Sequence, residues 1–234
     1  MRTCVITGIS SGIGRETAIQ ISRSGQFHHI ALLGRNVNSI QETKNQMENE
    51  NIDVSIWEVD LSKPEKIPEI INNIYAKTLS IDCLLNIAGY TDPQPLLSTT
   101  LDNMVQTYTV NVFSPFVLIK ECVKYMKWNG GKILNVASTA GMTPRPGWLS
   151  YSSSKAAVIS LSKTLTEELA EYGIKVYCIS PGRCATKLRK RLAPNEDPST
   201  IMQPVEVAEV ICSLIADSEG CLDGQNIVVR KKIN

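Results

Sequence analysis

Cys4-Val5-Ile6-Thr7-Gly8-Ile9-Ser10-Ser11-Gly12-Ile13-Gly14 is the stretch that decides how this 234-residue chain folds. A short apolar run enters a turn holding three glycines and two serines, and a helical pattern begins at once over 12–24. Glycines allow a tight turn and a close approach of backbone to ligand. A helix N-terminus adds free N–H groups and partial positive charge, which together suit a pyrophosphate. The spacing is G-x-x-x-G-x-G rather than the commoner G-x-G-x-x-G. Without a ligand the same residues would be a plain strand-to-helix turn.

The alternation continues along the chain. Apolar runs rich in Val, Ile and Leu lie at 4–7, 30–33, 54–59, 83–86, 132–136, 175–179 and 226–229. They barely alternate with polar residues, as expected of strands covered on both faces of a parallel sheet. Helical patterns fall between them at 12–24, 37–49, 67–79, 101–127, 151–172 and 204–216. This predicts an α/β chain with one doubly wound, Rossmann-like parallel sheet of about seven strands and helices on both faces. No linker or repeat divides it, so 1–234 is read as a single cofactor-binding and catalytic domain. The irregular stretches 141–150 and 186–203 follow strand C-termini, where open α/β sheets place their ligands, and 186–203 is the expected substrate loop.

Composition narrows the partners. Lys and Arg number 24 against 23 Asp and Glu, so bulk charge gives no reason to expect nucleic acid or an acidic membrane. No run of about 18 apolar residues is present, and the start reads as a strand, not a signal peptide. Seven scattered cysteines without a C-x-x-C pair read as buried apolar side chains in a reducing compartment, with neither disulfides nor a metal site. A soluble cytoplasmic protein is expected.

The second strand ends Leu33-Gly34-Arg35-Asn36, with no carboxylate and one arginine. A carboxylate there would bind a ribose 2′-hydroxyl and repel a 2′-phosphate, whereas a guanidinium pairs with the phosphate. NADP(H) is therefore expected over NAD(H), which stays possible; otherwise Arg35 is a solvated loop residue. Tyr151 and Lys155 open a long helix on one face, four residues apart. A phenol ionises near pH 10, and a cation a few ångströms away lowers that by ~1–3 units. The Y-x-x-x-K spacing recurs by chance on many helices, but two further residues accompany it. Ser138, just past the fifth strand, is placed to donate to a substrate carbonyl. Asn111, an amide among apolar residues of the 101–127 helix, is either a satisfied core residue or the holder of a water connected to Lys155.

With these residues in view, the chain resembles the short-chain dehydrogenase/reductases over essentially its whole length, broadly the 3-oxoacyl-acyl carrier protein reductases among them. The family's T-G-x-x-x-G-I-G matches Thr7 to Gly14, its N-N-A-G matches Asn86 to Gly89 with Ile87 for the second asparagine, and its P-G-x-x-x-T matches Pro181 to Thr186. The family's catalytic quartet matches Asn111, Ser138, Tyr151 and Lys155. The resemblance implies that Tyr151 exchanges the hydroxyl proton, Lys155 lowers its pKa and binds the nicotinamide ribose, Ser138 orients the carbonyl and Asn111 supports a water relay. It implies cofactor contacts from Gly8, Ser10, Ser11, Gly12, Ile13 and Gly14 at the pyrophosphate and from Asp60 and Leu61 at adenine. Asn86, Ala88 and Gly89 would line the ribose side, with Pro181, Gly182, Cys184 and Thr186 toward the nicotinamide. Cys184 is either a small side chain there or a redox thiol. Two departures stand out: Ile87 removes a polar group and is expected to loosen that strand end, and the basic tail 230–234 departs from the family's acidic glycine-rich turn.

The implied reaction is NADP(H)-dependent interconversion of a carbonyl and a secondary alcohol. Lys187-Leu188-Arg189-Lys190-Arg191 is either a solvated helix face or an attractor of charged substrate. A carrier-bound 3-oxoacyl group and a sugar phosphate or nucleotide sugar both fit the second reading. The stretch 193–198 is similar to loops of family members tied to surface-polysaccharide synthesis. A catalytically silent NADP-binding sensor is the alternative of another class. Family members commonly form homodimers or homotetramers through the two long helices, and the same is expected here.

Overall fold

The computed structural model describes residues 1–47 and 52–231. Seven strands, β1 (Thr3–Thr7), β2 (His29–Gly34), β3 (Asp53–Glu58), β4 (Cys83–Asn86), β5 (Gly131–Val136), β6 (Ile174–Pro181) and β7 (Asn226–Val229), form one sheet in the order β3-β2-β1-β4-β5-β6-β7. Every neighbouring pair is parallel. The order reverses between β1 and β4, which is where a crevice opens at the strand C-termini.

The apolar runs are continuous because each strand feeds two cores. On β1, Cys4 and Ile6 point to one face, where Ala18 and Ile21 of α1 (Gly12–Ser24), Ile40 of α2 (Val37–Gln46) and Val207 and Ile211 of α8 (Pro204–Ile215) pack. Val5 points to the other, against Ile71 and Ile74 of α3 (Ile67–Thr78) and Leu118 and Cys122 of α5 (Ser114–Met126). The β2 positions are buried likewise, Ile30 and Leu32 on the first side and Ala31 and Leu33 on the other. Each such side chain contributes roughly 1.5–3 kcal/mol by leaving water. No helix among the described residues is long and apolar enough to cross a membrane.

Four sequence expectations change. The helix expected over 101–127 is broken into α4 (Leu101–Tyr108), a π-turn (Thr109–Phe113) and α5. Pro115 is the reason: it has no N–H for the Asn111 carbonyl and its ring would crowd that carbonyl. The chain instead widens, and the Ser114 N–H reaches back to Thr109. The loop expected at 186–203 contains a short helix, α7 (Lys187–Leu192), capped by the Thr186 hydroxyl. The long helix α6 (Leu149–Leu169) starts two residues before Tyr151 and tightens into a 3-10 turn at Ala170–Tyr172. The expected helix over 37–49 ends at Gln46, and its positions 48 and 49 lie outside the described residues.

At the far edge of the sheet a buried histidine is fully bonded. His29 Nδ1 lies 2.9 Å from Asp53 Oδ2 and Nε2 lies 2.7 Å from Ser55 Oγ, which also accepts from Trp57 Nε1 at 2.7 Å. Burial lowers the His29 pKa and outweighs the pull of Asp53 in the other direction. The unfolded chain therefore binds this proton more readily. Stability is full above the unfolded value near 6.5 and falls as the pH drops below it. Thermal melts between pH 7.5 and 5.5 should show a falling Tm, and His29→Asn should flatten that slope while lowering the Tm at pH 7.5.

Candidate active site

A cleft of about 410 Å3 lies over the C-terminal ends of the central strands. It begins at the glycine turn. Gly8 and Gly12 have φ of +78° and +61°, in the left-handed region. A Cβ on Gly8 would sit 2.7 Å from the Ala88 nitrogen, and one on Gly14 would sit 2.3 Å from the Gly8 carbonyl oxygen. The turn is thus folded onto itself and onto the end of β4. Ser11, the residue before α1, is extended and makes no side-chain cap. The first N–H groups of α1 consequently remain without a capping side chain, beside Ser10, Ser11, Ile13 and Gly14 in the cleft wall. This donor set fits a pyrophosphate. Gly12 does not line the cleft; its missing side chain makes room for Thr186, whose Cγ2 would lie 3.1 Å from a Cβ there.

Thr7 stitches the two central strands together. Its hydroxyl donates to Leu85 O (3.3 Å) and accepts from the N–H groups of Ile87 (3.1 Å) and Ala88 (3.2 Å). The expected loosening at Ile87 does not occur, because the side chain packs against the core and its backbone is tied by Thr7. Ala88 and Gly89 line the cleft, as do Pro181, Gly182, Cys184 and Thr186 on the far side. Burial raises the Cys184 thiol to about 12, which makes it unreactive and leaves the small-side-chain reading. Gly182 donates to Val229 O at 2.8 Å and packs against Arg230, while tail positions 232–234 lie outside the described residues.

At the β2 end the wall is formed by Arg35, Asp60 and Leu61. Asp60 is engaged: its Oδ1 accepts from Ser62 N at 3.0 Å. Against the upward pull of burial, the Ser62 bonds and then the Arg35 charge hold the carboxyl below its ordinary range. Arg35 is exposed and, among the described residues, makes no hydrogen bond or ion pair.

The reacting end is built by β5 and α6. Ser138 follows β5 and caps a 3-10 turn (Thr139–Gly141), its Oγ accepting from Ala140 N at 3.1 Å. Gly141 brings this turn onto α6: a Cβ there would lie 2.7 Å from Lys155 C and Ala156 N. Sequence reading missed Gly141, whose only signal is a lone glycine three residues after Ser138. The contact sets Ser138 in the same cleft wall as the buried Tyr151. Burial raises the Tyr151 pKa, and the Ser138 bond and then the Arg189 charge offset this only in part. Lys155, expected from the resemblance to lower this pKa, is not among these influences. The Lys155 ammonium donates to Val136 O at 2.8 Å and sits 5.9 Å from the Tyr151 ring centroid, and burial lowers its own pKa to about 8.

Asn111 and Asn86 stand behind this pair and do not line the main cleft. Asn111 lies in the π-turn; its Nδ2 donates to Tyr90 O (2.9 Å) and Ser154 Oγ (3.0 Å), and its Oδ1 accepts from Tyr90 N (2.8 Å). The side chain is thus both a clamp on the segment after β4 and a neighbour of Lys155. Asn86 donates to Asn135 Oδ1 at 2.9 Å, and its own Oδ1 is buried without a partner among the described residues. A cavity of about 10 Å3, near the size of one water, touches Asn86, Asn111 and Lys155.

The mouth is cationic. Arg145, Arg183, Lys187, Arg189 and Arg191 line it, and Asp60 is the one carboxylate among the described lining residues. Of the basic run, Lys190 does not face the cleft and Arg189 is held by Glu196 through two bonds of 2.6 Å. The run is thus neither a uniform solvated face nor a uniform attractor. Arg145 and Trp148 escaped sequence reading, apart from lying in the 141–150 segment.

A doubly wound sheet with an uncapped α1 N-terminus and hydroxyls gathered past β5 defines a dinucleotide-dependent oxidoreductase. The chain belongs to the short chain dehydrogenase family, whose profile matches residues 2–197. It is 29% identical over 237 residues to a 3-oxoacyl-[acyl-carrier-protein] reductase of Thermotoga maritima, covering 97% of this chain and 95% of the relative. It is 30% identical over 220 residues to carbonyl reductase family member 4 of Danio rerio, covering 92% and 91%. Among solved structures, YwfH, an NADPH-dependent reductase involved in bacilysin biosynthesis, superposes with a TM-score of 0.90 at 23% identity, covering 98% of this chain and 96% of that one. The chain is an NAD(P)-dependent oxidoreductase acting on CH–OH groups.

Gly141→Ala should push the 3-10 turn off α6 and part Ser138 from Tyr151. We expect kcat/KM to fall on the order of 10²-fold, as for an ångström-scale misplacement, with NADPH affinity by fluorescence titration little changed.

Proposed function

We propose that this chain, as one catalytic domain, is an NADP(H)-preferring reductase that converts the ketone of a 3-oxoacyl-type substrate, free or carrier-bound, to a secondary alcohol. The observation that carries this reading is the pairing of Ser138 with the buried Tyr151 hydroxyl, beside Lys155, in a cleft whose other end offers the uncapped α1 N-terminus. The free guanidinium of Arg35 supports the preference for a 2′-phosphate. The name borne by the Thermotoga maritima relative supports the substrate class, as do the cations at the mouth, which suit an acidic carrier.

Gly8, Ser10, Ser11, Ile13 and Gly14 would hold the pyrophosphate, Arg35 the 2′-phosphate, Asp60 and Leu61 the adenine side, and Ala88, Gly89, Pro181, Gly182, Cys184 and Thr186 the ribose and nicotinamide side. When bound, the reduced nicotinamide supplies a hydride to the carbonyl carbon. Ser138 donates a hydrogen bond to the carbonyl oxygen and fixes its position. Tyr151 gives its proton to that oxygen as negative charge grows there. Its raised pKa keeps the phenol protonated and ready to donate at neutral pH. Lys155, poised near 8, is suited to return a proton toward Tyr151, and the small cavity shared with Asn111 and Asn86 supports a path from behind. The exposed apolar side chains of Leu101, Val105, Phe113 and Phe116 on α4, the π-turn and α5 support a homodimer or homotetramer through this face.

Oxidation of NADPH should be followed with ethyl acetoacetate, an acetoacetyl thioester, acetoin and an oxidised sugar phosphate. Reduction of the two 3-oxoacyl compounds above the others is expected, and preference for the sugar phosphate would move the assignment to that class. Tyr151→Phe should lower kcat by 10²–10⁴-fold at unchanged NADPH affinity. Binding of NADPH with no turnover of any probe would identify a sensor instead. Arg35→Ser should cut kcat/KM for NADPH by about tenfold or more and leave NADH unaffected, since a charge-assisted bond contributes about 1.5–3 kcal/mol. Equal or better use of NADH by the unaltered enzyme would refute the cofactor preference.

A further inference from the structure

Arg189 lies in α7, the helix within the 186–203 segment, and its backbone N–H donates to Thr186 Oγ1 at 3.1 Å. Its side chain is fixed on two sides. Nε donates to Glu196 Oε2 and Nη2 to Glu196 Oε1, both at 2.6 Å, which is the paired arrangement that holds a guanidinium plane. The same guanidinium is 5.7 Å from the centroid of the Trp148 ring. Trp148 in turn meets Tyr151 edge-on, with centroids 6.4 Å apart and planes at 75°. Glu196, Arg189, Trp148 and Tyr151 form one contiguous chain from the end of the segment to the phenol. Glu196 also accepts from Arg183 Nη1 at 3.3 Å, so one carboxylate serves two guanidinia and net positive charge remains.

We propose that Arg189 is a positioning residue for Tyr151: held by Glu196 and set over the Trp148 ring, it seats α7 over the reacting end and fixes a cation one aromatic ring away from Tyr151. The role the spacing gives to Lys155 is thereby shared with a residue from the substrate segment. Lys155 is bonded to Val136 O, while Arg189 reaches Tyr151 through the Trp148 ring, and its charge is one of the influences that draw the phenol pKa down. The ionisable groups on the neighbouring elements are Lys155 on α6, Arg145 on the 142–148 segment, and Arg183, Lys187 and Arg191 around α7. Only Arg189 among the cations at the mouth combines paired bonds to a carboxylate with an aromatic stack on the neighbour of Tyr151. Seating of the segment and ionisation of the phenol are then linked: a displaced α7 takes the cation with it.

The inference rests on Tyr151 as the proton carrier. The probe is the alcohol made from the ketone best reduced in the panel above, oxidised with NADP+ so that the phenolate is the required form. Arg189→Met removes the charge and keeps an unbranched apolar stem; Arg189→Lys keeps a charge without the paired bonds. With Arg189→Met we expect kcat/KM at pH 8 to fall about threefold or more, the equivalent of at least half a pH unit, and to be recovered when the pH is raised by the same amount. Arg189→Lys should fall between the two. A loss that does not respond to pH, or no loss, overturns the proposal and leaves Arg189 as a brace for α7. Thermal melts identify any variant that fails to fold, in which case Glu196→Gln, which frees Arg189, should give the same pH-recoverable loss or refute the proposal. Full activity of Tyr151→Phe would instead sink the reading of the reaction centre itself.

Discussion

Backbone packed on backbone at the C-terminal rim of the sheet is the constraint on which the rest depends. At the glycine turn a methyl group on residue 14 would intrude to 2.3 Å of the Gly8 carbonyl, and one on residue 8 to 2.7 Å of the Ala88 nitrogen. At the end of β5 a methyl group on Gly141 would reach 2.7 Å from the α6 backbone. These two contacts stand at opposite ends of one cleft. The first fixes where the N–H groups of α1 point; the second fixes how near Ser138 comes to Tyr151. Thr7 joins them by tying β1 to the segment that runs on from β4 toward Tyr90, which Asn111 then clamps. Side-chain chemistry in the cleft is therefore set by distances that side chains do not themselves determine.

Burial dominates the electrostatics of the reacting end. It pushes the Tyr151 phenol up and the Lys155 ammonium down, so both groups are biased toward their uncharged forms. These opposite shifts set the two proton affinities apart, with the phenol the higher, so a proton passes downhill from the Lys155 ammonium to a Tyr151 phenolate. A surface Tyr–Lys pair at the same helical spacing would keep pKa values near 10 and 10.4 and be tied to solvent. The spacing supplies the geometry; the dry environment supplies the direction of transfer. At the far end of the cleft the balance is the reverse, because the Ser62 bonds and the Arg35 charge outweigh burial at Asp60 and hold its carboxyl low.

Much of this was legible in the sequence, and the limits have physical causes. Strand positions were read within one or two residues because burial on both faces writes an unbroken apolar run. The division of 101–127 was missed because Pro115 sits in a strongly apolar periodic stretch, and periodicity does not register a single absent N–H. The candidate site residues Asn111, Ser138, Tyr151 and Lys155 and the glycine turn each sit in a short motif and could be named. Gly141, Arg145 and Trp148 act through contacts that only the folded chain creates, and Arg189 and Lys190 look alike in sequence although one is bound to Glu196 and the other faces away from the cleft. The consequence expected of Ile87 failed for a related reason: a lost polar side chain matters little when the backbone N–H groups are already held by Thr7.

The division of charge along the cleft is the last point at which geometry constrains chemistry. Glu196 pairs with Arg183 and Arg189, while Arg145, Lys187 and Arg191 have no carboxylate partner among the described residues. Like charges held at one mouth repel, and a chain of nearly zero net charge has no general need to concentrate them there. An anion entering the mouth would offset that cost at the unpaired cations, while the two arginines paired with Glu196 stay fixed. The same five cationic residues thus divide into a fixed element that shapes the site and a free element that selects what approaches it.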